Sequence, residues 1–272
     1  MICLSCTEET LNEALGTIEK SIKYIDAVEI RADYLLPSEY HLLAEFPSKI
    51  KLPCILTFRW PKDGGNDKTL SIAERAEILS KALDGHWAYF DIEDDADSSD
   101  EKLLVKKAED SGVKVIKSFH DFTGVPDNLA QRIIKNSYGN RFIPKAAVMS
   151  NSTEDFLKIV QAHKDIQKEI ELSNGYSCTN GPFLTDYILV GMGDYGFPSR
   201  ILAGVFGSML TFCSSGKAAP GHVNPEIMSE LYNYNNLNEN TKVFGIIGNP
   251  VMHSKSPDIH NPAFQQKNID AV

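Results

Sequence analysis

Eight short runs rich in apolar and β-branched residues, separated for the most part by helix-length segments, constrain this chain more than any other feature. They are Ile2 to Cys6, Ala27 to Asp33, Cys54 to Trp60, Trp87 to Glu93, Val113 to His120, Phe142 to Met149, Tyr187 to Met192 and Ser208 to Cys213. Between them the spacing turns helical. Leu11, Leu15, Ile18, Ile22 and Ile25 stand three and four residues apart within Thr7 to Ile25, with Thr7 as the expected cap. Ser71 to Leu83, Asp127 to Lys135 and Glu154 to Lys164 also have helix length. Such alternation predicts an α/β chain with parallel strands. Eight units suit a (β/α)8 TIM barrel better than an open doubly wound sheet, and no glycine-rich phosphate turn follows the first run.

The pattern stops after a helical stretch from Pro225 to Leu231. Asn233 to Asn240 is almost entirely asparagine, tyrosine and glutamate with two leucines, a linker composition. A new strand is expected from Lys242 through Val-Phe-Gly-Ile-Ile-Gly, followed by too few residues to bury a core of their own. The expected organisation is a barrel over 1–232, a linker over 233–241, and over 242–272 a short, incomplete fragment of a second α/β domain. Polar stretches at Asp94 to Glu101 and Ser173 to Gly181 read as surface loops.

A formal net charge of −10 argues against a phosphate-backbone partner, which needs a concentrated cationic face. The N-terminus lacks a basic leader, and no apolar stretch approaches membrane-spanning length, so a soluble, cytoplasmic protein is expected. Of five cysteines, Cys3, Cys54 and Cys213 sit in apolar runs, where a thiol behaves as a small hydrophobe. Cys3 and Cys6 form one C-x-x-C pair, and Cys178 alone does not complete a zinc set, so no metal is expected.

Barrel chemistry sits at the C-terminal ends of strands, where residues two apart share a face. Glu29 and Arg31 share one face of the second run, and Thr57 and Arg59 one face of the third; His120 closes the fifth. Lys145 lies inside the apolar sixth run, where a lysine is costly unless it is paired, or neutral and useful. Arg200 follows the seventh. An amine with an ordinary pKa of ~10.4 attacks a ketone only when neutral, and the resulting iminium makes the adjacent C–H removable by a histidine. Lys145 with His120 thus points to Schiff-base proton abstraction, with Arg59 and Arg200 as the cations that would favour a neutral amine. Each residue also has a structural alternative: a salt-bridged strand lysine, a hydrogen-bonded histidine, a Glu29/Arg31 ion pair, and ordinary surface arginines. Lys117 is a rival lysine, but its odd offset from His120 puts it on the opposite face.

Taken together these stretches resemble the type I 3-dehydroquinate dehydratases: Glu29-Ile-Arg31-Ala-Asp33, Thr57-Phe-Arg59 with Asp63-Gly64-Gly65, Ser118-Phe-His120-Asp121-Phe122, Ile143-Pro-Lys145, Gly191-Met-Gly193 through Ser199-Arg200, and Phe206-Gly207 through Leu210-Thr211-Phe212 to Ala219-Pro220-Gly221. The resemblance implies a cofactor-free barrel lyase that dehydrates 3-dehydroquinate to 3-dehydroshikimate. Lys145 would carry the imine and His120 the proton; Arg200 would bind the carboxylate, and Glu29, Arg31 and Arg59 the ring hydroxyls. Asp63 stands where the family usually has a glutamate that orients the histidine, implying a longer or water-mediated contact. Ala218 and His222 stand in the lid loop where a serine and a glutamine are usual.

The tail, Val243-Phe-Gly-Ile-Ile-Gly-Asn-Pro-Val-Met-His-Ser-Lys-Ser-Pro with His260-Asn261, resembles the start of shikimate dehydrogenase. Ser254 and Ser256 match its carboxylate-binding serines. The resemblance implies a truncated bifunctional enzyme, with NADP belonging only to the missing part. The expected partner is a small molecule rather than nucleic acid or membrane, and a homodimer is compatible with this reading. A class I Schiff-base aldolase and an inactive ligand-binding barrel are the competing readings.

Overall fold

The computed structural model describes residues 1–66, 70–137, 141–175, 186–216, 223–248, 250–251 and 253–272. Ala218 and His222, Cys178 and most of the Ser173 to Gly181 stretch lie outside the described residues. Eight parallel strands are present: β1 (Ile2–Cys6), β2 (Ala27–Arg31), β3 (Cys54–Thr57), β4 (Tyr89–Glu93), β5 (Lys114–Asp121), β6 (Phe142–Met149), β7 (Ile188–Met192) and β8 (Thr211–Cys213). Their order is β7-β6-β5-β4-β3-β2-β1-β8. The two ends are drawn together by Met209 N donating to Tyr187 O at 2.8 Å and Leu189 N to Ser208 Oγ at 3.2 Å. This is the nearly closed (β/α)8 barrel that the alternating pattern predicts.

Around it lie α1 (Leu11–Ser21), α2 (Ile72–Ala82), α3 (Ser99–Asp110), α4 (Leu129–Asn136), α5 (Thr153–Gly175) and the short α6 (Phe197–Ile201). Between β2 and β3 two 3₁₀ turns, Pro37–Leu42 and Phe46–Lys49, take the helix position. Outward strand residues such as Leu4, Val28, Leu56 and Phe90 pack with Leu11, Ile18, Leu79 and Leu104 of the helices. A second cluster joins Ala146, Val148 and Leu189 to Ile133, Ile159 and Ile166.

Four local expectations are corrected. The cap of α1 is Thr10, not Thr7: its Oγ1 accepts from Glu13 N, three residues on, and donates to Glu13 Oε2 at 2.9 Å. That helix ends at Ser21, so Ile22 is 47% exposed while Ile25 is buried in the turn before β2. Helix α5 runs on well past Lys164 because Ile159, Ala162, Ile166 and Ile170 sustain its buried stripe. Among the described residues from Lys242 on there is one parallel bridge, to Ala271, and no strand. Residues 270–272 run beside only 242–244, and Ile246 and Ile247 face solvent.

In the asparagine-rich segment Tyr234 is buried in the barrel's own core cluster. Helix α7 (Ser256–Gln266) rests on the turn Ile227–Leu231 through Gln265 Nε2, which donates to Glu230 O and Leu231 O.

Candidate active site

Inside the barrel, alternate residues face inward, and along each strand they advance from apolar to polar. Cys3, Ala27, Ile55, Ile116, Ile143 and Ile188 form one apolar cluster with Tyr89 against it. Two residues further on come Ser5, Glu29, Thr57, Ser118, Lys145 and Asp91, all buried. Another step brings Arg31, Arg59, Glu93 and His120. A dry floor therefore carries a charged layer at the C-terminal mouth, where a barrel places its chemistry.

Lys145, 5% exposed, donates from Nζ to Asp91 Oδ2 at 2.8 Å and lies 3.6 Å from Glu29 Oε1. The face of Phe212 is 4.1 Å from the same nitrogen. The ion pair makes the buried position tolerable, since an isolated ammonium there would cost several kcal/mol. Asp91 Oδ1 accepts from Arg59 Nη2 at 2.7 Å and Ser118 Oγ at 2.5 Å. Burial works against the charge of Asp91, but Arg59 and Lys145 outweigh it and hold the carboxyl well below its usual range. Glu29 accepts from Ser5 Oγ and Thr57 Oγ1.

The surface-arginine alternative fails: Arg59 is 3% and Arg200 2% exposed. Arg31 pairs with Asp33 rather than with Glu29, through Nε at 2.9 Å and Nη2 at 2.8 Å. Asp33 also accepts from Arg59 N and Asn66 N, tying the ends of β2 and β3 together. Arg200, on α6, reaches Phe212 O at 3.5 Å, and burial brings its guanidinium down to about 10.

His120 stacks on Phe122, with ring planes 14° apart. Its Nδ1 is 3.9 Å from Asp63 Oδ1, longer than a hydrogen bond, and among the described residues neither His120 Nδ1 nor Asp63 Oδ2 has a hydrogen-bond partner. Burial, then Arg59 and Lys145, push the imidazolium well below 6.5, so the ring is neutral. Asp63 ends the turn Pro61–Asp63, which Gly64 closes at φ 82, a backbone state that suits glycine. Burial and the charge of Glu93 push Asp63 up to about 6.

A carboxyl raised on folding holds its proton more tightly in the folded state. The stability this gives is complete below the ordinary pKa near 3.8 and is lost as pH rises through about 6. Asp63→Asn is therefore expected to leave thermal stability unchanged near pH 4 and to raise it by roughly 1–3 kcal/mol at pH 8. Equal gains at both pH values would contradict a strained carboxylate.

Residues 2–239 match the family described as type I 3-dehydroquinase. The chain belongs to the type I 3-dehydroquinase family. It is 34% identical over 235 residues to the 3-dehydroquinate dehydratase of Methanococcus maripaludis strain C7, covering 85% of this chain and 98% of that one. Over its whole length it is 31% identical to 43% of the bifunctional 3-dehydroquinate dehydratase/shikimate dehydrogenase, chloroplastic, of Arabidopsis thaliana. The crystal structure of the 3-dehydroquinate dehydratase from Aquifex aeolicus superposes with a TM-score of 0.65 at 28% identity, over 85% of this chain and 96% of that one. Among the described residues of this type I 3-dehydroquinase no helix is long and apolar enough to cross a membrane.

Sequence reasoning brought Glu29, Arg31, Arg59, Asp63, His120, Lys145 and Arg200 forward, and all lie on the inner face of the strands or on the elements just after them. It passed over Asp91, the partner of Lys145, and Glu93. Both sit in Tyr-Phe-Asp-Ile-Glu with the period of two that singled out Glu29 and Arg31, so the signal was available. Arg75 was missed as well, although it shares the buried face of α2 with Ala76, Leu79 and Ala82.

Proposed function

We propose that this chain dehydrates 3-dehydroquinate to 3-dehydroshikimate through an imine on Lys145, a step of the shikimate route to aromatic amino acids. The observation that carries this reading is a buried lysine amine held by Asp91 one inward layer below a largely covered histidine whose pKa is held well below 6.5 by burial. Neutral Lys145 adds to the ketone carbon and the ketone oxygen leaves as water. His120 takes the proton from the neighbouring carbon, giving an enamine. The enamine expels the hydroxyl beta to the imine, which leaves as water with the proton that His120 returns. Hydrolysis then consumes one water, so the net change is loss of one.

The iminium is the electron sink, and the protein's own groups suffice for each proton. Arg200 takes the substrate carboxylate through its planar fork. Arg31 and Arg59 keep N–H donors beyond those used by Asp33 and Asp91, and with Glu29 they hold the ring hydroxyls. Asp63 orients His120 across the longer gap.

Incubation with 3-dehydroquinate is expected to produce the conjugated enone absorbance, and borohydride to leave one reduced adduct on Lys145. An aldolase would give carbon–carbon cleavage products instead, and an inert binding barrel neither signal.

Residues 242–272 are read as the start of a shikimate dehydrogenase substrate-binding domain. Support comes from the full-length similarity to the bifunctional Arabidopsis protein and from the parallel pairing of 242 with 271 on either side of α7. Ser254 and Ser256, at the start of that helix, lie with their hydroxyls 3.2 Å apart.

A further inference from the structure

Arg75 stands on α2, in the outer helical layer, yet it is 2% exposed and every part of its guanidinium is engaged. Its Nε donates to Phe58 O at 3.0 Å, Nη2 to Glu93 Oε2 at 2.6 Å and Nη1 to Glu101 Oε1 at 3.4 Å. The same group lies 4.8 Å over the Trp60 ring. Glu93 in turn accepts from Trp60 N at 3.1 Å and faces Arg59 Nη1 at 3.5 Å. A line of alternating charge thus runs from the helix layer inward: Glu101, Arg75, Glu93, Arg59, Asp91, Lys145.

Arg59 is shared between two carboxylates, 2.7 Å from Asp91 and 3.5 Å from Glu93. We propose that Arg75 is a positioning residue for the reaction: by occupying Glu93 it leaves Arg59 to Asp91, and so sets how firmly Asp91 holds the Lys145 amine. The proposal rests on Lys145 being the imine-forming residue. Without Arg75, Glu93 is a buried carboxylate lacking its main counter-charge, and the next cation within reach is Arg59. As Arg59 moves over, Asp91 loses one of its two cations and grips Lys145 more tightly. The amine must shed a proton and leave Asp91 before it adds to the ketone, so imine formation slows. Binding keeps Arg200, Arg31 and Glu29 and loses at most the Arg59 contact, so it is touched less.

The test uses the full chain, 3-dehydroquinate, and the single-turnover rate of borohydride-trapped adduct, normalised to the folded fraction from thermal unfolding. Arg75→Met is expected to trap about 10- to 100-fold more slowly with KM within about threefold. Adding Glu93→Gln, which removes the competitor for Arg59, is expected to bring the rate back to within about fivefold of wild type. A merely structural role predicts the opposite, a double variant slower than either single one. Should Arg75→Met fail to fold, Arg75→Gln, which keeps an N–H donor near Phe58 O and loses the charge, carries the same comparison with and without Glu93→Gln. Wild-type trapping rates in the Arg75 variants, or no recovery in the doubles, overturn the proposal alone. No adduct on Lys145 in the wild-type chain overturns the imine reading and this proposal with it.

Discussion

Replacing Lys145 with alanine is expected to abolish the borohydride-trapped adduct and to lower kcat/KM for 3-dehydroquinate by about 10⁵-fold or more, because the electron sink goes with the amine. The fold survives the change: Asp91 keeps Arg59 and Ser118, and Glu29 keeps Ser5 and Thr57, so neither carboxylate is left without a donor. Mass mapping of the wild-type adduct sharpens the result, because the barrel offers a second half-buried lysine near the histidine. Burial lowers the pKa of Lys117, which makes it a chemically plausible amine. Its Nζ, however, donates to Glu93 O at 3.2 Å and lies over the Phe142 ring, outside the inward set. An adduct on Lys117, or one that persists when Lys145 is alanine, would sink the assignment.

That the inward phase separates these two lysines explains why the fold and most of the site were legible. A side-chain period of two is a property of the strand backbone, so Glu29, Arg31, Arg59, His120 and Lys145 carry their direction in their numbering once the strands are placed. The bounds of β1 and β6 agree with the apolar runs residue for residue. Where reading failed, the causes differ. Thr10 was the better cap on local grounds, because Glu13 stands three residues on and Thr7 has no such partner. Strand formation from Lys242 needs a neighbour of equal length, and the run's own β propensity does not supply one. Asp91 carried the same period-two signal as Glu29 and was passed over, whereas Arg75, on a helix outside the barrel, is invisible as a site residue until the buried carboxylate that calls for it is in place.

His120→Ala is expected to lower kcat by about 10³-fold while leaving KM within a few fold, since general acid and base steps typically contribute about 10²–10⁴ and the histidine is not a principal binding group. The adduct should still be trapped, more slowly, and should accumulate before the dehydration step. The pH profile distinguishes this role from a packing role. Burial and the cations Arg59, Lys145 and Arg31 keep His120 neutral well below pH 6.5, so the base form is present across the neutral range without a nearby acid limb of its own. Asp63 is the group that titrates close by, at about 6. In the proposed mechanism its carboxylate stabilises the imidazolium that forms as the proton is taken, and its neutral acid does not. The free enzyme's kcat/KM is thus expected to fall as pH drops through about 6, and Asp63→Asn to remove that limb while lowering the plateau. In His120→Ala the limb should vanish too, because no imidazolium remains for Asp63 to stabilise. A limb near pH 6 that survives the loss of His120 would mean that Asp63 acts on substrate or on Lys145 directly, and the proton-transfer role would have to be reassigned.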